Sequence, residues 1–236
     1  MSIIKKLFII LLIHLSFSCA ELQDVVNSLP TETTTGTLDI AGGLRQALDK
    51  GITKQVSKLT QKDGYYKNNL VKIVMPEELQ KVDKALRNIG LGNLADEGIK
   101  ALNRAAEDAV KEAIPIFVDT VKQINFNDAK GILLGSDIAA TNYLKGKTKR
   151  ALYSKFNPVI KNSFDRVGAD QIWKTIITNY NSIPFVTKVN PDLTDYVTKE
   201  ALKGVFKMIA VEEKEIRNNI NSRTTTLLQQ VFALQD

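Results

Sequence analysis

Apolar residues recur every three to four positions along most of the chain beyond residue 38. This period matches the turn of an α-helix and differs from the two-residue alternation of a half-buried strand. One stripe covers residues 44–59, and a longer one covers residues 140–167. The pattern predicts an all-α fold, a single domain built from about seven to nine helices.

The predicted helix ends depend on proline, glycine and short polar residues. Pro76 and Pro191 are expected to open helices, because proline fits the first helical turn. Gly90 and Gly135 are expected to end helices, because a helix often stops at a glycine in the left-handed conformation. The predicted N-caps are Ser136 or Asp137 for the long helix and Ser222 for the last helix, and a further helix is predicted from Asp170 to Tyr180.

Two features interrupt regular helix in this prediction. Pro115 and Pro158 lie inside helical stripes, where proline removes a hydrogen bond and kinks or breaks the helix. Residues 70–75 and 185–189 are short, β-branched and bounded by turn residues, which is typical of strands. The fold expectation is therefore a multi-helix domain with proline-kinked helices, to which these two segments could add one minor two-stranded ribbon.

The first 18 residues have the layout of a secretory signal peptide. Lys5 and Lys6 precede a short apolar run at residues 7–15, and small residues then lead into Cys19. A transmembrane helix needs about 18 to 20 apolar residues, roughly twice the length of this run. The pattern therefore favours a cleaved leader over a membrane span.

Cys19, the only cysteine, makes this leader resemble that of a bacterial lipoprotein. In such leaders the thiol receives a diacylglycerol group, and acyl chains such as palmitate anchor the processed protein. The open alternative is an ordinary leader followed by an incidental free thiol. Ala20, in place of an aspartate, favours by analogy the outer membrane of a Gram-negative cell, with the protein facing the periplasm. The predicted organisation is a signal peptide (1–18), a lipidated cysteine with a threonine-rich tether (19–37) and a helical domain (38–236).

The residues available for chemistry exclude several classes of function. The only histidine, His14, lies in the predicted leader, and the only cysteine is the predicted anchor. Ser-His-Asp and Cys-His catalysis therefore lack their residues, and zinc, copper and haem sites lack their usual ligands. We expect no metal, no cofactor and no catalytic residue. The net charge of +6 is mild, and an exported protein is not expected to bind nucleic acid.

The first candidate site is a basic stretch on the predicted long helix. Residues 138–164 contain six cations and no acid. The structural explanation is a plain solvated face, and the functional one is a patch for anionic lipid headgroups or an acidic envelope partner. The candidate patch residues are Lys145, Lys147, Lys149, Arg150 and Lys155.

The second candidate site is a set of polar residues on or beside apolar stripes. Buried polar groups must find hydrogen-bond partners, so an interhelical network would explain them. A polar-lined pocket is the alternative explanation. The residues concerned are Asn103, Arg104, Glu107, Thr141, Tyr143 and Thr148.

Several scattered motifs resemble those of one known family. They include Asp63-Gly64-Tyr65-Tyr66, Leu102-Asn103-Arg104-Ala105-Ala106-Glu107, Pro115-Ile116-Phe117, Ala139-Ala140-Thr141 with Tyr143, Asn190-Pro191-Asp192-Leu193 and Arg223-Thr224-Thr225. On these residues the chain resembles the family named domain of unknown function 4197, over residues 38–232. The resemblance implies a helical, mainly exported bacterial protein, and it implies no activity, cofactor or catalytic residue.

Three functions are compatible with these observations. The leading hypothesis is a non-enzymatic binding or adaptor module held at the membrane through Cys19. The second is a carrier for an apolar or lipid ligand, cradled between helices with the basic stretch at its mouth. The third and least favoured is an enzyme that uses paired carboxylates on glycans, because helical carboxylates are too common here to select a pair.

Overall fold

In a computed structural model of this chain, the described residues are 39–88, 92–167 and 192–236, with Gly90 and six positions between 178 and 190. These residues form eight α-helices, and the described ranges contain no strand. The helices are α1 (Ile40–Leu59), α2 (Gln80–Asn88), α3 (Gly92–Val110), α4 (Ala113–Lys122), α5 (Phe126–Leu133), α6 (Ala139–Val167), α7 (Leu193–Asn218) and α8 (Thr226–Phe232). The predicted all-α fold is therefore confirmed.

Helix α1 supplies much of the core. Its buried residues repeat at helical spacing and include Leu44, Leu48, Ile52, Val56 and Leu59. This face packs against α4, α5, α7 and α8. Complete burial of one such side chain contributes about 1.5–3 kcal/mol, so the stripe is a large part of the packing energy.

Helices α6 and α7 form an antiparallel pair. At one end, the N–H of Thr141 donates to the carboxylate of Glu213 at 2.8 Å. At the other end, the hydroxyl of Tyr153 donates to Asp195 at 2.8 Å. These two contacts join the start of α6 to the later part of α7, and the middle of α6 to the start of α7. The arrangement places one long face of each helix beside the other.

Two predicted helix caps are wrong. Helix α6 begins at Ala139, so neither Ser136 nor Asp137 is its N-cap. The last helix begins after Thr225, whose hydroxyl accepts the N–H of Leu228, whereas Ser222 lies in the 3₁₀ turn Ile220–Ser222. In both cases the local sequence offered a competent capping residue, but the chain continues in a turn before the helix starts.

The two internal prolines behave differently. Pro115 follows a break between α3 and α4 and lies in the first turn of α4. An N–H group at this position would have no acceptor within the helix, so its absence in proline costs no hydrogen bond. Pro158 lies inside α6, which continues to Val167. Its absent N–H leaves the carbonyl of Ser154 without its usual partner in the helix. The predicted break near Pro115 is confirmed.

The predicted ribbon is not formed by residues 70–75. These residues make a turn and an irregular segment, and Ile73 pairs with a side chain instead of a strand. Asn103 on α3 accepts the N–H of Ile73 at 2.8 Å and donates to its carbonyl at 2.7 Å. Both backbone groups of Ile73 are therefore satisfied without a partner strand. Most of the other predicted strand, residues 185–189, lies outside the described residues.

Residues Ile40–Asp236 form one compact unit. Among the described helices, none is both long and apolar enough to cross a membrane. The predicted leader, Cys19 and the tether lie outside the described residues, as does nearly all of the helix predicted from Asp170 to Tyr180.

Candidate functional site

Arg104 and Glu107 fasten the turn that follows α1. The Glu107 carboxylate, buried on α3, accepts the backbone N–H groups of Tyr65 at 3.0 Å and Tyr66 at 3.3 Å. Arg104 joins the other carboxylate oxygen of Glu107 to Asp63, with both contacts at 2.5 Å. Asp63 has a φ of 71°, a left-handed conformation that is uncommon outside glycine. The two charged residues therefore hold a strained turn in place.

Thr141 belongs to a second cluster, centred on Glu213 of α7. The Glu213 carboxylate accepts the N–H groups of Ala140 and Thr141, each at 2.8 Å, and the Thr141 hydroxyl at 2.8 Å. It thus caps the first turn of α6 from another helix, where a negative charge also suits the helix dipole. Glu213 also forms an ion pair with Arg217, with 2.9 Å between a guanidinium nitrogen and a carboxylate oxygen. Arg217 in turn donates to the carbonyls of residues 132 and 133 at the end of α5.

Tyr143 and Thr148 make local contacts on α6. The Tyr143 hydroxyl donates to Asp128 at 3.2 Å, and burial together with that carboxylate raises the pKa of Tyr143. The Thr148 hydroxyl donates to the carbonyl of Leu144 one turn earlier, at 2.6 Å. The six polar candidates, which include Asn103, therefore do not form one site. Most of them hold turns or helix ends, and Thr148 bonds within its own helix. Their described contacts are those of structural hydrogen bonds.

The five basic candidates are all exposed on α6. Lys147 lies over the ring of Tyr143, with its ammonium 5.6 Å from the ring centroid, in a cation–π contact. Lys145 and Lys149 are one helical turn apart and line a groove between α6 and α7. Arg150 and Lys155 do not line this groove. Arg150 instead lines a shallower surface depression together with Lys145 and Lys149. Two members of the predicted patch thus meet residues of another helix.

The groove between α6 and α7 has a volume of about 510 Å³. Its apolar lining comprises Ile138, Leu202, Phe206 and Ala210. Leu202 and Phe206 are buried, and the ring of Phe206 packs edge-on against Phe117 with their centroids 5.9 Å apart. The apolar floor is therefore part of the core and does not depend on flexible surface side chains.

The rim of the groove is strongly basic. Five lysines line it, against a single carboxylate, Glu200, among the described lining residues. The lysines are Lys145 and Lys149 on α6 and Lys199, Lys203 and Lys207 on α7. The α7 lysines were missed in the sequence because they are spread along the chain and Glu200 lies between the first two. Their i, i+4, i+8 spacing places them on one helix face, and that spacing is the signal that could have revealed them.

Internal ion pairs neutralise part of this rim. Lys199 contacts Asp195 at 2.7 Å, and Lys203 contacts Glu200. Burial alone would raise the pKa of Asp195, but hydrogen bonds from Lys199 and Tyr153 lower it below the usual value. The same carboxylate raises the pKa of Tyr153 through its hydrogen bond. At the end of the groove near Tyr153, the charges of Lys199 and Asp195 therefore offset each other.

Three lysines carry a charge that none of the described residues pairs, and they are called the uncompensated lysines below. Lys145, Lys149 and Lys207 make no ion pair with any residue that the structure describes. They line the same groove, above an apolar floor. Positive charges beside a surface of low polarity attract anions more strongly than isolated surface lysines do. The arrangement can bind an anionic group that carries an apolar portion.

Two further depressions are more open to solvent than the groove: one of about 640 Å³ lined by Lys145, Lys149 and Arg150, and one of about 410 Å³ lined by Arg104, Asp108 and Arg166. A narrow apolar pocket near Glu212 and Ile216 has a volume of about 20 Å³, which holds one water at most. Within residues 39–88, 92–167 and 192–236, no group of three or more acidic side chains is arranged to hold a metal ion.

A comparison with models of known protein families assigns this all-helical domain to one of them. The family model described as "Protein of unknown function (DUF4197)" matches residues 34–233. The chain therefore belongs to this family. Comparison with curated proteins found no match, and comparison with solved structures found none either.

Proposed function

We propose that this protein is a non-enzymatic binding module whose ligand site is the groove between α6 and α7. The observation that carries the proposal is the meeting of Lys145, Lys149 and Lys207 over the buried side chains of Leu202 and Phe206. Small-molecule sites typically combine an apolar lining with a few polar groups, in volumes of about 300–1,000 Å³. The ligand is an anion with an apolar portion.

The same groove gives little support to an enzyme that acts through carboxylates. Glycan hydrolysis ordinarily requires two carboxyl groups facing one bond. Of the described lining residues, Glu200 is the one carboxylate, and it is engaged by Lys203. A binding role requires neither a second acid nor a nucleophile.

Removing the three uncompensated charges is expected to weaken anion binding by about tenfold or more, since each charge contributes about 1 kcal/mol at the protein surface. The probe is anilinonaphthalene sulfonate, an aromatic sulfonate whose fluorescence rises in apolar surroundings. The test compares K145Q/K149Q/K207Q with the wild-type protein in a fluorescence titration. Increasing salt should reduce the wild-type affinity towards that of the variant.

The matched control is K62Q/K122Q/K155Q, which removes the same charge from exposed lysines that do not line the groove. It should bind the probe within about twofold of wild type, because distant exposed charges are screened. Equal loss of affinity in both triple variants would show a general charge effect and would contradict the assignment of the groove.

The proposal also places the protein in the cell envelope, attached to the outer membrane through acyl chains on Cys19 and facing the periplasm. Its support is the leader-like pattern before Cys19 in the sequence. Cells grown with an alkyne analogue of palmitate should incorporate the label into the wild-type protein and not into Cys19→Ser. Equal labelling of the two proteins, or labelling of neither, contradicts the anchor.

A further inference from the structure

We infer that the ligand of this groove is a single unbranched acyl chain with one anionic headgroup. This inference rests on the proposed function, because it names the class of ligand for the same groove. It is carried by the length of the groove, by the chemistry of its walls and by the position of its uncompensated charge.

The groove has the dimensions of one long acyl chain. Its lining residues extend from Ile138 to Tyr153 along α6 and from Tyr196 to Ala210 along α7, which is about 20 Å at the rise of an α-helix. An extended chain advances about 1.2 Å per bond, so about 16 carbons cover this length.

The walls favour hydrocarbon over an extended peptide. Both walls are α-helices, whose backbone N–H and C=O groups are already paired within the helix. An extended peptide would bring N–H groups that need acceptors, and an unpaired buried N–H is costly. The lysines that dominate the rim are donors only and cannot accept them. A hydrocarbon chain carries no such requirement and can lie against Leu202 and Phe206.

The uncompensated lysines indicate where the headgroup binds. Because α6 and α7 are antiparallel, Lys145 and Lys149 lie beside the part of α7 that includes Lys203 and Lys207. Lys199, nearer the Tyr153 end, is already paired with Asp195. A carboxylate or phosphate headgroup is therefore held by Lys145, Lys149 and Lys207. The headgroup chemistry is common to free fatty acids and to monoacyl phospholipids.

The test is a calorimetric titration of the purified protein with sodium alkanoates of 8, 10, 12, 14, 16 and 18 carbons, each below its micelle concentration. We expect the affinity to rise about two- to fourfold for each added CH₂, as partial to complete burial of a methylene predicts. The rise should stop near 10 carbons, because Lys145 lies about midway between Ile138 and Tyr153 and leaves about 10–12 Å of the groove on either side for the chain. A monoacyl phosphate of 12 carbons, compared with dodecanoate, separates the two sources of headgroup.

A pair of variants on α7 tests the location. Ala210→Trp adds bulk to a residue that lines the groove, and Val211→Trp places the same large side chain at a neighbouring exposed residue that does not line it. Ala210→Trp should lower the affinity for dodecanoate at least tenfold, while Val211→Trp should leave it within twofold. Circular dichroism of both variants checks that the helices are retained.

The outcomes separate the two proposals. Affinity that does not depend on chain length, with the lysine effect on anilinonaphthalene sulfonate intact, overturns the acyl chain and leaves the anion-binding groove. Loss of the lysine effect on that probe overturns the groove itself. Tight binding of a peptide of alternating glutamate and leucine, sensitive to Ala210→Trp, with no alkanoate binding, overturns the acyl chain in favour of an acidic peptide.

Discussion

Glu213→Ala is expected to lower the free energy of unfolding by about 3–5 kcal/mol, the usual cost of breaking a buried ion pair by removing one partner. The substitution leaves Arg217 buried without its carboxylate and leaves the N–H groups of Ala140 and Thr141 without an acceptor. Both side chains of the pair are about 5% exposed, so water replaces little of what is lost. The free energy of unfolding is measured by urea denaturation, with circular dichroism as the signal.

Glu215→Ala is the matched control for this variant. Glu215 lies on the same helix but is exposed, and its removal should cost about 0.5 kcal/mol or less. The double variant Glu213→Leu/Arg217→Met should be more stable than Glu213→Ala, because it leaves no buried charge without a partner. A loss below about 1 kcal/mol for Glu213→Ala contradicts the role of Glu213 as a cap that joins α6 to α7.

Tyr65→Ala is expected to cost about 3–5 kcal/mol, the range for removing a large buried aromatic side chain. Tyr65 is fully buried, and its hydroxyl donates to the carbonyl of Ala201 on α7 at 2.7 Å. Gly204 permits this packing, since a Cβ there would lie 2.6 Å from the ring. Burial raises the pKa of Tyr65 well above its ordinary value, so the ring remains neutral at any pH used for the experiment.

Tyr66 provides the comparison for Tyr65, because it is the next residue but only half-buried, with its ring beneath Lys72 at 4.6 Å. Tyr66→Ala should cost about 1 kcal/mol or less. Thermal unfolding of the two variants, monitored by calorimetry, gives the difference directly. Similar losses for the two tyrosines would mean that the turn after α1 is not held by the insertion of Tyr65.

The regular part of the fold follows from the sequence because helix formation has a local signature. The stripe at residues 44–59 predicts α1, whose buried face contains the same residues. Gly90 was expected to stop a helix, and it adopts a φ of 82° at the end of α2. Each of these features depends on residues within one or two turns, so pattern and geometry agree.

The wrong predictions concern backbone groups that pair with a residue far away along the chain instead of with a nearby residue. The first turn of α6 is capped by Glu213, more than 70 positions away along the chain. The backbone of Ile73 pairs with Asn103, 30 positions away, instead of with a strand. A single sequence contains no periodic signal for such contacts, because they depend on how the helices pack. Asn103 was nevertheless recognisable as a polar residue on an apolar stripe, which must find a partner.

Only part of the candidate site could be recognised in the sequence, because the groove forms between two helices whose packing has no local signal. The acid-free stretch that contains Lys145 and Lys149 stands out along the chain. The lysines of α7 share one face of their helix by their spacing, but that this face lies beside Lys145 and Lys149 becomes evident only when α7 is packed against α6. The apolar floor could not be distinguished from the core, since Leu202 and Phe206 belong to both.

The central claim is that the groove between α6 and α7 is the ligand site, and the location of a bound ligand tests it most directly. The measurement is a crystal structure of the protein with dodecanoate. The account predicts a carboxylate about 2.7–3.2 Å from the ammonium of Lys145, Lys149 or Lys207, with the alkyl chain against Leu202 and Phe206. Dodecanoate bound at another surface, with the groove empty in the same crystal, would contradict it.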